Sequence, residues 1–584
     1  MMRRAKKRGI AALTAAIVLA AAIGATSCDL VTSGLENSPG GIPARPPAPP
    51  PETFVDEDAF VDYPWLWTVN DLGTATIVGY IGEERNVQIP TTLGGYIVTG
   101  ISRPETFHFL FGADFRAPPV FPNNVLDSVE IPNTIVLIGP GAFTNSNLTS
   151  VDIPSSVTVI GLRAFENNQL ESVNIPTRVT EIAQQAFHNN RLTEIDLHSG
   201  ITAIGDMAFQ NNRLTEIDLH GGITAIGVFA FADNELARVE IPESVTSLGQ
   251  RAFSDNRITS ANIPRNITVI PNGVFANNLL PRIDIHSGVT SISAFAFDSN
   301  LLTDVVIPPG VETIGISAFR SNHINNVSIP PSVTLIGSSA FQHNRLSRVN
   351  IPQGVEDIGA SAFANNWLLE TITLPNSVTS IGWGAFQNNS LTGFHLSPNI
   401  SEIPGNAFRN NSFTTVTIPD HITSIGPDAF LDNQQLHTVT IGNRVSSIGR
   451  RAFGVPTWSP NFTWVWPNGD LNFQNTSLRN VHFRGTVHGS NIGVNEQSAL
   501  GDWSWMCAFP GDFRRVAGTG NVTGTLYRNP QANTWSRVAP TGAAAVSAPL
   551  GGAAPAGLTG IARPRPEPDY REEYLRELER RGGR

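Results

Sequence analysis

Residues 148–168 read LTSVDIPSSVTVIGLRAFENN, and the architecture follows from this stretch. Val151 and Ile153 alternate with Ser150 and Asp152 after Leu148, the period of a short strand. Pro154 lacks a backbone donor and ends that strand. Val157, Thr158 and Ile160 form a second extended stretch. Ala164-Phe165 is expected to make a compact helical or 3-10 turn, and Asn167-Asn168 leads into the next strand.

The same unit returns along the chain. Phe recurs at 143, 165, 187, 209, 231, 253, 275, 297, 319, 341 and 363, always 22 apart. It continues at 386, 408, 430 and 453, with one extra residue in two intervals. TEIDLHSGITAIG from Thr193 and TEIDLHGGITAIG from Thr215 are near duplicates. One coil of this size cannot bury its apolar face, so like residues must stack on like residues in a solenoid. Adjacent strands would lie about 4.8 Å apart in one long parallel sheet.

Three columns read as structure. The Phe column is an aromatic ladder within the core. The Asn column runs from Asn168 through Asn190 and Asn278 to Asn433. An amide both donates and accepts, so it can satisfy loop backbone of its own and the next coil. The Gly column includes Gly139, Gly161, Gly205, Gly227, Gly249 and Gly315, but Ala183, Pro271, Ser293 and Pro404 replace it elsewhere. Smallness or a tight turn explains such a column better than a need for positive φ.

The N-terminus reads as an address. Arg3, Arg4, Lys6, Lys7 and Arg8 precede an apolar run from Ile10 to Ile23 and the small residues Gly24 to Ser27. This is the pattern of a cleaved signal peptide over 1–27. Ala25-Thr26-Ser27-Cys28 resembles a bacterial lipobox, with Ala25 where Leu is commoner. The resemblance implies acylation of Cys28, and acyl chains would hold the protein on a membrane by the lipid anchor only. Residues 28–53 are the anchor and a Pro-rich linker, NSPGGIPARPPAPPPE from Asn37, of extended conformation. Five of the 38 basic residues precede Cys28, so the mature chain carries 33 cations against 49 acids, a net of −16. It contains no Lys, since Lys6 and Lys7 are the only two. Schiff-base and phosphate-loop lysines are thereby excluded, and so acidic a chain is a poor partner for nucleic acid. With Cys28 acylated, Cys507 has no partner; within Trp-Ser-Trp-Met-Cys-Ala-Phe it reads as a small buried hydrophobe.

The unit, close to I-P-x-x-V-T-x-I-G-x-x-A-F, resembles the BspA-type leucine-rich repeat from about Tyr63 to Val516. One departure is Asn where that family often has Cys after Ala-Phe. The resemblance implies a leucine-rich-repeat solenoid, a right-handed superhelix of ~22-residue coils with one parallel sheet and short helical turns. It also implies a bacterial surface protein, several of its kind being adhesins for host matrix proteins or other cells. Residues 54–128 are expected to be an N-terminal cap with atypical first repeats, in which Phe107 looks like an early copy of the Phe column. Regular repeats fill 129–454, and 455–540 holds an interrupted last repeat and a Trp-rich cap. In it Ser477 to Phe483 reads as a repeat strand, and TGTLYRNPQANTWSRV as a hairpin around Asn529 to Asn533. Residues 541–584 read as a disordered tail.

Function is expected on the outward positions of the first strand, the concave face, because they vary while the scaffold repeats. Glu194, Asp196, Glu216, Asp218 and Glu240 stack into an acidic patch beside Arg238, suited to a basic protein partner. A charged face is also what solvent alone would favour. His198 and His220 occupy the column position usually held by Pro, and with Asp196 and Asp218 they raise the question of a metal. Duplication of one coil accounts for both histidines, so no metal and no cofactor is expected. Trp503, Trp505 and Trp535 could stack on sugar rings, although clustered Trp at a solenoid end more often packs a cap. No hydrolase motif, HExxH, phosphate loop or nucleotide fingerprint is present, so no enzyme is expected. The reading is a lipoprotein at the cell surface or outer membrane that binds a host matrix or cell-surface protein. The alternatives are a glycan binder using the Trp cluster and a periplasmic scaffold.

Overall fold

The computed structural model describes residues 59–102, 120–121, 126–454, 480–488, 521–529 and 534–536. The readings on the signal peptide, Cys28, the Pro-rich linker, Phe107, Trp503, Trp505, Cys507 and the C-terminal tail lie outside the described residues.

The repeat is a β-solenoid, as its period requires. Two-residue strands at the T-x-I positions, beginning Leu137–Ile138 and Val159–Ile160, pair in parallel with the equivalent residues of the neighbouring coil. Ala203 pairs with Ala225 and Ile204 with Ile226, a register of one coil. The Ile side chains are buried on this ladder, with the residue before each turned toward solvent or half-buried.

The ladder runs in blocks, and the Gly column sets their boundaries. Pairing is continuous from Glu181–Ile182 to Ser247–Leu248, from Val269–Ile270 to Ser380–Ile381, and from Glu402–Ile403 to Ser447–Ile448. Within a block the Gly N–H donates to the Ile carbonyl of the preceding coil, as from Gly227 to Ile204 at 2.8 Å and from Gly249 to Ile226 at 2.7 Å. The first coil of each block has Ala183, Pro271 or Pro404 at that position. Proline has no N–H to give. At position 183 the bond is absent too. The glycines are needed for close approach: a Cβ on Gly249 would fall 2.2 Å from the carbonyl carbon of Gly227, and no positive φ is involved. Gly249→Ala is therefore expected to break the ladder as Ala183 does and to cost about 1–3 kcal/mol, the usual range for overpacking. Urea unfolding checks this, and an unchanged midpoint would mean that the coils separate freely.

Two details differ from the sequence expectation. Parallel pairing is divided over two ladders instead of one sheet. The first stretch of the coil pairs only in places: Asp304–Val306 with Asn326–Ser328, Thr371–Thr373 with Gly393–His395, and Thr415–Thr417 with Thr438–Ile441. Isolated bridges join Asn174 to Asp196 and Arg238 to Ser260. The second difference is that the Ala-Phe step is a turn, and among the described residues there is no helix. The residue before Ala and the second after Phe are left-handed, with φ of 56° at Arg163 and 57° at Asn167. A right-handed helix cannot propagate through such residues.

The core is built from columns. Sixteen Phe rings stack from Phe121 to Phe453, with centroids 5.2 to 6.2 Å apart and planes within 17°. The widest steps, 5.9 and 6.2 Å, flank Phe275, where Pro271 and Ser293 replace glycine. Among the described residues the column begins at Phe121, one period before Phe143.

The Asn column works backward along the chain. Asn278 Nδ2 donates to the carbonyls of Phe253 at 2.9 Å and Phe275 at 3.2 Å, and its Oδ1 accepts from the N–H of Ile258 at 2.9 Å. Each amide thus satisfies its own and the preceding coil, not the next one as expected.

Antiparallel strands flank the ladders. Phe60–Asp62, Trp65–Val69 and Ala75–Tyr80 pair in sequence, and the Trp65 and Tyr80 rings lie 6.2 and 5.4 Å from Phe121. At the other side Asn480–His488 joins Thr438–Ile441 in parallel, then pairs antiparallel with Asn521–Asn529. The hairpin expected there is present, with Asn529 opposite Thr534. Such strands shield the open backbone of the last coils.

Candidate functional site

The first stretch of each coil presents alternate residues outward because Ile195, Leu197, Leu219, Val239 and Ile241 are buried. Glu194, Asp196, Glu216, Asp218, Arg238 and Glu240 are all exposed on the opposite side. The one-coil register of the neighbouring ladder sets Glu194 beside Glu216 and Glu216 beside Arg238. Among the described residues, none of the six forms an ion pair. Five carboxylates therefore face solvent against one guanidinium, at about 4.8 Å per coil. Such a surface raises the encounter rate of a cationic partner and screens with salt.

The two histidines do not join that face. His198 Nδ1 accepts from the N–H of Gly200 at 3.1 Å, so its Nε2–H donates to the carbonyl of Pro176 at 3.0 Å. His286 repeats both bonds with Gly288 and Pro264. His220 Nδ1 accepts from Gly222 at 3.0 Å. The imidazole replaces proline by bonding the turn that proline would have stiffened. Among the described residues no group of three or more His, Cys, Asp or Glu is arranged to hold a metal ion.

Buried carboxylates sit on the turn side. Asp298, 5% exposed, receives two bonds from Arg320, at 2.9 and 2.8 Å. Asp428 receives the same pair from Arg451, and Asp432 one bond from Arg409. Burial holds the Asp298 and Asp432 carboxyls above the usual carboxylate range, against the opposing pull of the guanidinium groups. A raised folded-state pKa means that Asp298 contributes its stability fully at acid pH and loses it as pH rises through the raised value. Asp298→Asn removes that titration. Its melting temperature relative to wild type is expected to rise as pH increases from the usual carboxylate range through the raised value. A constant difference would show that the ion pair outweighs burial. These carboxylates join neighbouring coils and are taken up by structure.

Sequence reasoning missed two surface features. An outer amide ladder runs beside the buried one, with Asn167, Asn189 and Asn211 each donating to the Asn one coil earlier at 2.6 Å. The Asn-Asn dipeptide was its signal, because Asn tolerates left-handed φ. The second is a groove of about 710 Å³ on the first-stretch face, with Arg348, Asn350, Thr371 and Thr373 around Ile351 and Pro352. Of the glycan candidates, Trp535 lies on the strand Thr534–Ser536, and the other two are outside the described residues.

Several solved structures are similar to this chain. A leucine rich cell surface protein from Faecalibacterium prausnitzii is 22% identical, with a TM-score of 0.34 over 73% of this chain and 95% of that one. A leucine-rich repeat protein from Bacteroides ovatus is 20% identical, with a TM-score of 0.35 over 74% and 91%. The pneumococcal vaccine antigen PcpA is 16% identical, with a TM-score of 0.31 over 73% and 87%. No curated protein matches. The family described as BspA type leucine rich repeat region matches in overlapping segments that run from residue 118 to residue 457. They cover more than half of the 584 residues. The chain belongs to the BspA-type leucine-rich-repeat family.

Proposed function

We propose that this chain is a protein-binding repeat scaffold without catalytic activity. Acylated at Cys28 and lifted by the Pro-rich linker, it displays its solenoid at the bacterial surface for adhesion to a host matrix or cell-surface protein. The reading rests on one observation: a scaffold repeated almost without change presents outward residues that change from coil to coil. The acidic run from Glu194 to Glu240 makes the favoured partner a basic one. Solenoid repeats suit this task because each coil adds contact area without altering the core. The glycan reading has no geometry behind it among the described residues.

Protease shaving of intact cells, with a periplasmic control, tests the location. Loss of the protein with the control intact is the expected result; full protection would end the adhesion reading. Immobilised matrix proteins then test the face. Glu194→Arg with Glu216→Arg should reduce capture at least tenfold at low salt, and equal capture would move the ligand elsewhere.

A further inference from the structure

The coil between Phe363 and Phe386 holds one residue more than the regular period. The extra residue makes a turn at Trp367–Leu368, where the side chains are 51% and 37% exposed. The coil between Phe430 and Phe453 is lengthened in the same way, and its turn holds Gln434–Gln435, both exposed. A solvated turn has no use for Trp-Leu, and the Gln pair shows that this turn forms equally well from polar residues. Exposed aromatic and aliphatic groups of this kind mark contact surfaces.

The groove adjoins the same coil. Thr371 and Thr373, on one wall, follow Trp367 by four and six residues, so Trp367 lies within about 14 Å of Thr371 by chain length alone. Arg348 on the other wall is exposed and makes no ion pair among the described residues. Asp304, the preceding acid at an outward position of the first stretch, is engaged by Asn326 at 3.2 Å. Backbone pairing of the first stretch stops at Asn326–Ser328 and resumes at Thr371–Thr373, so Arg348 stands on an unpaired segment between two paired ones.

We propose that these two coils form an anchor for an extended peptide segment of a protein partner. The segment places a carboxylate on Arg348 and an apolar side chain against Trp367 and Leu368. Asn350, Thr371 and Thr373 supply hydrogen bonds between the two points. Guanidinium pairs with carboxylate through two parallel bonds, a geometry that an amide or an amine on the peptide cannot reproduce. The anchor rests on the protein-binding reading but not on the acidic coils, because Arg348 occupies the column position of Arg238 five coils further along the solenoid.

The test is a library of phage-displayed 12-residue peptides panned on the full chain, then on Arg348→Ala and on Trp367→Ser. Both positions are exposed, so unchanged melting curves are expected and confirm folding. Enriched peptides should carry Asp or Glu within a few residues of Leu, Phe or Trp and lose at least tenfold in binding to each variant. No enrichment, or enriched peptides that bind both variants as well as wild type, would overturn the anchor. Peptides lost only with Glu194→Arg and Glu216→Arg would also overturn it while leaving the protein-binding function in place.

Discussion

Asn278→Leu is expected to destabilise the solenoid by about 3–5 kcal/mol, because it strands several buried backbone groups at once. Asn278 is 2% exposed. Its Nδ2 serves the carbonyls of Phe253, Phe275 and Ala276, and its Oδ1 serves the N–H of Ile258. Leucine has the same branching and is somewhat larger, so the loss comes from hydrogen bonding and not from a cavity. Each stranded group costs about 1–3 kcal/mol, which makes the whole larger than any single surface change. Chemical denaturation of Asn278→Leu beside Asn167→Ser separates the two amide ladders, since Ser holds the same left-handed position at 299 and 321. The outer ladder is half-exposed, and water replaces its lost bonds, so a change within about 1 kcal/mol is expected there. Equal effects would mean that the buried column is not what satisfies the coil backbone.

Phe275→Ala should cost about 3–5 kcal/mol by the lost burial and the cavity left behind. Its consequence for cooperativity is larger than that figure. Coils touch only their neighbours, so the coupling between them decides whether the solenoid melts as one unit. Phe275 stands where Pro271 has already removed the ladder bond and where the ring spacing is widest. Phe209 is equally buried, within an intact block. Phe275→Ala is expected to split thermal unfolding into two transitions, whereas Phe209→Ala lowers a single one. Calorimetry distinguishes them, and a single transition in both variants would show that the Phe column is not the main coupling across position 271.

Several features are legible in the amino-acid sequence alone. A period of 22 residues is a local, one-dimensional signal, and stacking it in register requires nothing else. The Phe column, the buried Asn column and the reason for glycine follow from that. Phe121, which lies one period before Phe143 and stacks on it, sits within an apolar insertion of the sequence and is hidden there by its proline-rich surroundings. The acidic face is also readable, since alternation with buried Ile and Leu fixes which side chains point out.

The coil, its columns and the residues that face solvent thus come from the chain's own pattern, because each depends on spacing within one unit. How neighbouring coils use those residues is settled only by contacts in three dimensions. The left-handed residues around Ala-Phe exclude a helix, and backbone distances between coils divide the pairing into two ladders. The sequence ascribes the histidines to coil duplication, and their role as turn braces shows only once Pro176 and Gly200 lie within hydrogen-bonding distance. Arg348 becomes notable only when the coils around it leave it without an ion-pair partner among the described residues and open a groove beside it. The ladders, the His198–Pro176 bond and the groove depend on contacts between residues 20 or more apart, and no pattern within one coil encodes them.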